Sequence, residues 1–289
     1  MELVNPAFLI KLEARSLPMP NFVPDERGPR ASAYWQISIS AYFMVRISAV
    51  SYLNTKPFLH GLKLHPLSDV DVSVDMPSVC AQKLLEGKVD LGLVPVAIIP
   101  LLKESHILPG FCIGAVGPVE SVKLYSRVPL QEIKTVLSDY QSRTSVMLAR
   151  VLAKELWKIT PEWKNAYPGY ENDISGTTAG VVIGDRTFNL NGTFEYEYDL
   201  AGEWEKLTGL PFVFAAWVSN KKLSEDFIQR FSAAMEQGLL HIDEVVAEET
   251  KNYPGFDVGH YLKDALKFRL TDAGLQAIRL FHGKIVSLQ

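Results

Sequence analysis

A short β-type run, Val45–Val50, stops abruptly at the polar turn Ser51-Tyr52-Leu53-Asn54-Thr55-Lys56-Pro57, and a helix-like segment follows over residues 53–62. From Met44 onward, strand-like and helix-like stretches keep alternating. This alternation restricts the chain to an α/β fold with largely parallel strands. Further strand-like runs fall at residues 70–74, 89–94, 111–116, 119–125, 135–137, 179–183 and 212–218. Pro77 opens one helix and Gly87 stops it. Another begins near Ser142, with apolar positions at Val146, Leu148, Val151, Leu152, Leu156 and Trp157. The period then predicts helices over 198–207, 224–240, 259–265 and 271–284, with Ser224 and Thr271 as N-caps. Ligands gather at the carboxyl ends of strands in open α/β sheets. Ser51, Tyr52 and Asn54 stand at such an end and offer uncharged donors and acceptors.

The rest of the composition mainly excludes. With 289 residues the chain can form one large domain or two modest ones. A formal net charge of −4 with scattered basic residues argues against nucleic acid or an anionic membrane as partner. No apolar run approaches the roughly 20 residues of a membrane helix. Cys80 and Cys112 make neither a disulfide framework nor a Cys-x-x-Cys pair, and read as buried thiols in a reducing compartment. His60, His65, His106, His241, His260 and His282 are dispersed, without the spacing of metal ligands. Metal is not indicated. No dinucleotide fingerprint, P-loop, nucleophile elbow or zinc-protease motif occurs.

The first 43 residues hold five prolines, mixed charges and no period. Phe8-Leu9-Ile10 is too short for a secretory core. These residues read as a mobile extension or an upstream mis-start, with folding from Met44 and a cytoplasmic location. Residues 44–118 and 212–289 would form one lobe and residues 119–211 a second, inserted lobe. The extended crossings at 119–125 and 212–218 would be the hinge, and a ligand cleft would lie between the lobes.

Three loops could line that cleft. Ser142, Thr144 and Ser145 crowd a helix start, where free N–H groups and the positive dipole end suit a carboxylate or phosphate, although plain capping needs only one such residue. Gly117-Pro118-Val119-Glu120-Ser121 could let backbone approach a ligand with Ser121 as donor or acceptor, or be a simple turn. Asp185, after Gly184 at a strand end, could receive a substrate hydroxyl or cap the next helix. Glu195, Glu197 and Asp199 read as a solvated approach to the 198–207 helix. Arg46 and Arg143 are weaker options for a substrate carboxylate, because exposure is the default for such side chains.

Six segments together resemble the chorismate dehydratases of the futalosine route to menaquinone. They are Val50-Ser51-Tyr52-Leu53-Asn54-Thr55-x-Pro57, Gly87-x-Val89-Asp90-Leu91-Gly92-Leu93-Val94-Pro95, Gly117-Pro118-Val119-x-Ser121-Val122, Ser142-x-Thr144-Ser145, Ile183-Gly184-Asp185, and the long block from Tyr198 to Trp217. The resemblance implies a two-lobe type II periplasmic-binding-protein-like fold of the α/β class. It further implies a lyase that turns chorismate into 3-[(1-carboxyvinyl)oxy]benzoate and water without metal or cofactor. Asn54 matches the family's active-site Asn, and Ser51, Tyr52, Pro95, Val119, Ser121, Ser142, Thr144, Ser145 and Asp185 are the expected substrate contacts. Val96 departs from the small hydroxyl residue often found after the third-strand proline. Two alternatives stay open at this point, the sister enzyme acting on a dehypoxanthine futalosine-type substrate and a non-catalytic binder of small anions.

Overall fold

A computed structural model describes residues 44–288; the expected extension over residues 1–43 lies outside the described residues. β1 (Val45–Val50) runs into a 3₁₀ turn (Leu53–Thr55) and then directly into α1 (Lys56–Leu64). β2 (Val70–Asp75), α2 (Pro77–Leu85), β3 (Leu91–Pro95), a 3₁₀ segment (Val96–Leu101) and β4 (His106–Ala115) follow. The middle of the chain supplies β5 (Val122–Ser126), β6 (Thr135–Ser138), α3 (Thr144–Leu152), β7 (Glu162–Asn165), β8 (Thr178–Ile183), β9 (Tyr196–Asp199) and α4 (Leu200–Thr208). β10 (Phe212–Ser219), α5 (Glu225–Leu240), α6 (Ile242–Glu249), β11 (Leu266–Leu270) and α7 (Asp272–Val286) complete it.

The strands form two sheets. One has the order β11-β4-β10-β3-β1-β2 and the other β7-β6-β8-β5-β9. The expectation of largely parallel strands needs correction. β1 runs parallel to β2 and β3, and β6 parallel to β7 and β8, but β10 is antiparallel to β3 and β4. β11 is likewise antiparallel to β4, and β5 to β8 and β9. The physical reason lies in the crossings. The chain crosses out of the six-stranded sheet into β5 and back into it at β10, and each of these strands enters its sheet against the direction of its neighbours. A second correction concerns residues 196–199, which pair as an edge strand before the helix begins at Leu200. Asp199 is the N-cap of α4, accepting from the N–H groups of Ala201 and Gly202. The acidic run is therefore not simply a solvated approach, because its last member is bound into the backbone.

The six-stranded sheet is closely packed beside the site. β3 is buried over its whole length, as a continuous apolar run sandwiched on both faces should be. Phe58 of α1 meets Phe111, Trp217 and Phe268 edge-on, with ring centroids 5.4–6.1 Å apart. α1 crosses α5 at two facing glycines. A Cβ on Gly61 would lie 2.1 Å from the Ala234 carbonyl oxygen, and one on Gly238 would lie 1.9 Å from that of Pro57. The two helix backbones are in direct contact, and no side chain fits between them.

Candidate functional site

Between the two sheets, at the carboxyl ends of β1, β3 and β8, lies a cavity enclosing about 570 Å³. That is the size of a small-molecule site. Leu93, Ile113, Ile183, Phe214 and Leu266 give it apolar walls, and Asn54, Ser121, Ser142, Thr144 and Ser145 give it polar groups. No Lys, Arg, Asp, Glu or His is among the described residues that line it. A ligand in this space meets hydroxyls, one amide and backbone N–H groups, but no fixed countercharge.

The Asn54 turn is built by remote residues. Both oxygens of the Asp185 carboxylate accept from the Leu53 N–H, at 3.1 and 3.2 Å, and Tyr253 donates its hydroxyl to the same carboxylate at 2.7 Å. Burial pushes the Asp185 carboxyl above its ordinary range, while the Tyr253 and Leu53 hydrogen bonds pull the other way. Thr55 donates its hydroxyl to Asn54 Oδ1 at 3.2 Å, which leaves the Asn54 NH₂ group to act as donor. Tyr52 lays its ring on Gly184, where a Cβ would come within 2.6 Å of the ring, and Gly184 has φ +66°. Both constraints demand glycine there. The Tyr52 hydroxyl donates to Gln141 Oε1, and burial beside Asp139 raises its phenol well above the ordinary value.

The opposite wall is largely self-contained. Ser142 Oγ accepts from the Ser145 N–H at 3.0 Å, satisfying one orphan donor at the start of α3. Thr144 Oγ1 reaches across the cleft to accept from the Ala97 N–H at 3.2 Å. Ser145 is buried and lines the cavity. Beneath this loop, Asp139 is bound by Arg186, by the Tyr170 hydroxyl at 2.9 Å and by the Gln141 and Ile183 N–H groups at 2.8 and 3.2 Å. That network holds the end of β6 in place.

Of the ten residues expected at the site, Asn54, Tyr52, Pro95, Val119, Ser121, Ser142, Thr144 and Ser145 line the cavity. Ser51 and Asp185 do not. Ser51 is exposed, with its N–H on the Asp75 carbonyl at 2.9 Å. Asp185 spends its carboxylate on the Asn54 turn, as described. Val96 also stays out of the lining; its side chain is fully buried, and its carbonyl accepts from His282 Nε2 at 2.8 Å. Arg46 turns to the opposite end of β1, where it clamps Asp90 at 3.0 Å. Arg143 is exposed and outside the lining. Val119 is placed by Asp199, whose Oδ2 accepts from the Val119 and Glu120 N–H groups at 2.9 and 2.7 Å.

Sequence reasoning missed Tyr253 and Tyr261. Tyr261 is wholly buried and donates to Ser121 Oγ at 2.9 Å. Neither tyrosine sits at a strand end, and the polar run Glu248–Asn252 before Tyr253 reads as an ordinary solvated helix end, so no local signal marked them.

A family model described as menaquinone biosynthesis matches residues 45–286. The chain is similar to a chorismate dehydratase of Thermus thermophilus, with 27% identity over 220 residues covering 69% of this chain and 79% of that protein. It is also similar to a chorismate dehydratase of Campylobacter jejuni, with 22% identity covering 80% of this chain and 93% of that protein. Among solved structures, protein AF1704 of Archaeoglobus fulgidus superposes with a TM-score of 0.66 at 10% identity, covering 85% of this chain and 98% of that one. The Candida albicans CA3427 gene product, described as having the generic periplasmic binding protein fold, gives a TM-score of 0.56 at 12% identity over 85% and 89% of the two chains. The periplasmic aliphatic sulphonate binding protein SsuA of Escherichia coli gives 0.54 at 14% identity over 85% and 86%. The fold is thus α/β and periplasmic-binding-protein-like, with the cleft between its two lobes.

Proposed function

The chain belongs to the menaquinone-biosynthesis family, and from that premise we propose that it is a lyase that removes water from chorismate to give 3-[(1-carboxyvinyl)oxy]benzoate. The similarity to chorismate dehydratases supports the reaction. The observation that carries it at the level of chemistry is the lining of the cavity, which has neutral donors on both sides and no charged side chain among the described lining residues.

In this reaction the ring carbon bearing the enolpyruvyl ether loses its proton, and the neighbouring carbon loses its hydroxyl with the bonding electrons. Proton and hydroxide together make the water released, and the ring becomes aromatic. Aromatisation supplies the driving force, so the protein's task is orientation and charge placement. Negative charge developing in the ring spreads to the ring carboxylate. At the start of α3 that carboxylate meets free N–H groups, the positive end of the helix and the Ser145 hydroxyl. Donors fixed before the reaction stabilise the transition state more than the substrate.

Asn54 presents its NH₂ to the cavity and orients the reacting centre or the leaving hydroxyl. A neutral amide has no useful proton affinity, so it is not the base. Tyr52, with its phenol held neutral, is no better suited. The enolpyruvyl carboxylate of the substrate itself takes the proton in this scheme.

The same reading assigns residues 44–118 and 212–289 to one lobe and 119–211 to the other, with the reaction carried out in the cytoplasm. The test is direct. Purified protein incubated with chorismate should yield a product lighter by one water in mass spectrometry, with a new aromatic ultraviolet band. If chorismate is recovered intact while a dehypoxanthine futalosine-type nucleoside is consumed, the sister reaction replaces this one; if neither is consumed, the protein is a binder.

A further inference from the structure

We infer that Tyr261 is a positioning residue that turns the Ser121 hydroxyl into an obligate hydrogen-bond donor toward the ligand. The inference rests on the dehydratase reading for its substrate, but its geometry stands apart from it.

Tyr261 opens a π-helical turn, Tyr261–Ala265, that continues the short helix Val258–His260. Such turns are rare and concentrate at functional sites. The phenol is wholly buried, and Phe188 and Phe256 hold its ring edge-on at 5.2 and 5.5 Å. Its Oη lies 2.9 Å from Ser121 Oγ, which has no other hydrogen-bond partner among the described residues. A phenol is a far stronger acid than an alkyl hydroxyl, so in this pair Tyr261 donates and Ser121 accepts. Burial holds the phenol well above its ordinary pKa, so its proton is present at any working pH.

The serine backbone is fixed as well, since its carbonyl accepts from the Gly184 N–H at 2.8 Å. With one lone pair engaged by Tyr261, Ser121 has its own proton free, and the cavity it lines is where that proton points. It therefore greets an acceptor, an ether or carboxylate oxygen, and disfavours a ligand that offers a hydroxyl proton at the same place. Selectivity of this kind is large when buried polar groups would be left unpaired. Tyr261 itself is absent from the lining; burial raises its phenol, while hydrogen bonds with Ser121 and Asn54 pull it back, so the ring stands between the two cavity residues.

A double-mutant cycle on kcat/KM for chorismate tests this, using Tyr261→Phe, Ser121→Ala and the double variant. Each single variant should lose about tenfold, the worth of one well-placed hydrogen bond. If the serine is the route by which the phenol acts, the double variant should fall within about twofold of Ser121→Ala alone; a Tyr261 effect that ran through Asn54 instead would survive in the Ser121→Ala background. Losses that multiply would overturn the inference, even if all variants melt at the same temperature. The cycle is repeated on benzoate affinity by calorimetry, which needs no turnover. Intact chorismate with a non-additive benzoate cycle sinks the dehydratase reading and keeps the inference. Active wild type with additive losses does the reverse, and a wild type that neither turns over chorismate nor binds benzoate removes both.

Discussion

The two polar walls of the cleft are made in opposite ways. The wall at the start of α3 is capped from within, since Ser142 caps Ser145 three residues on, and has one distant tie, the Ala97 N–H on Thr144. The wall at Asn54 is held from far along the chain, by Asp185 on the Leu53 N–H with Tyr253 donating to that carboxylate, by Gln141 on Tyr52, and by Thr55 beside it. A locally capped helix start can tolerate small changes around it. A turn held by residues 89 and 132 positions away transmits any change in those residues to Asn54.

The contrast can be broken most severely at Asn54. Asn54→Ala should lower kcat by about 10²- to 10³-fold, the scale for losing a fixed donor at developing charge, with KM changed only a few-fold. Steady-state kinetics on chorismate measure both, and a kcat near wild type would show that the amide does not act in the transition state.

A smaller effect sharpens the remote side of the comparison. Asp185 has its carboxyl raised above the unfolded value by burial. Its folded-state pKa therefore exceeds the unfolded one, and the stability it contributes is fully present below the unfolded pKa and lost as pH rises through the folded pKa. Asp185→Asn removes that titration. Denaturant unfolding at a series of pH values should show wild type losing ground to the variant above about pH 4, by at most about 1.4 kcal/mol per pH unit, until the folded pKa is passed. Parallel curves would mean that Asp185 is not held against its ionisation.

The least effect belongs to the self-contained wall. Ser142→Ala should cost about 1 kcal/mol or less of stability, the ordinary worth of a capping hydroxyl, and reduce kcat/KM by no more than a few-fold. Thermal melting and kinetics on one preparation check it. A loss comparable to that at Asn54 would erase the distinction between the walls.

This asymmetry also explains what a reader of the sequence could see. β1, α2, β8, α5 and the start of α3 were legible because their signals are local, namely apolar runs, Pro77 at a helix start, and hydroxyls at caps. The cluster Ser142-Thr144-Ser145 was found for the same reason. Asp185 was legible as a residue of interest, but its partner was not, because whether a carboxylate at a strand end faces a ligand or a distant N–H depends on tertiary contact. Tyr253 and Tyr261 lie in a C-terminal stretch whose irregular helices blur any period, and their role comes from packing against Phe188 across the fold. The antiparallel strands were misjudged because direction is set by where the chain crosses, which composition does not record. β11 went unseen because Leu266 and Phe268 alternate only briefly between two helices.

The glycine crossing of α1 and α5 leaves no room for growth at either position. With backbone seated on backbone at Gly61 and Gly238, any added side chain would have to part the two helices, and α1 begins two residues after Asn54, so the turn that carries the amide would be dragged along with it.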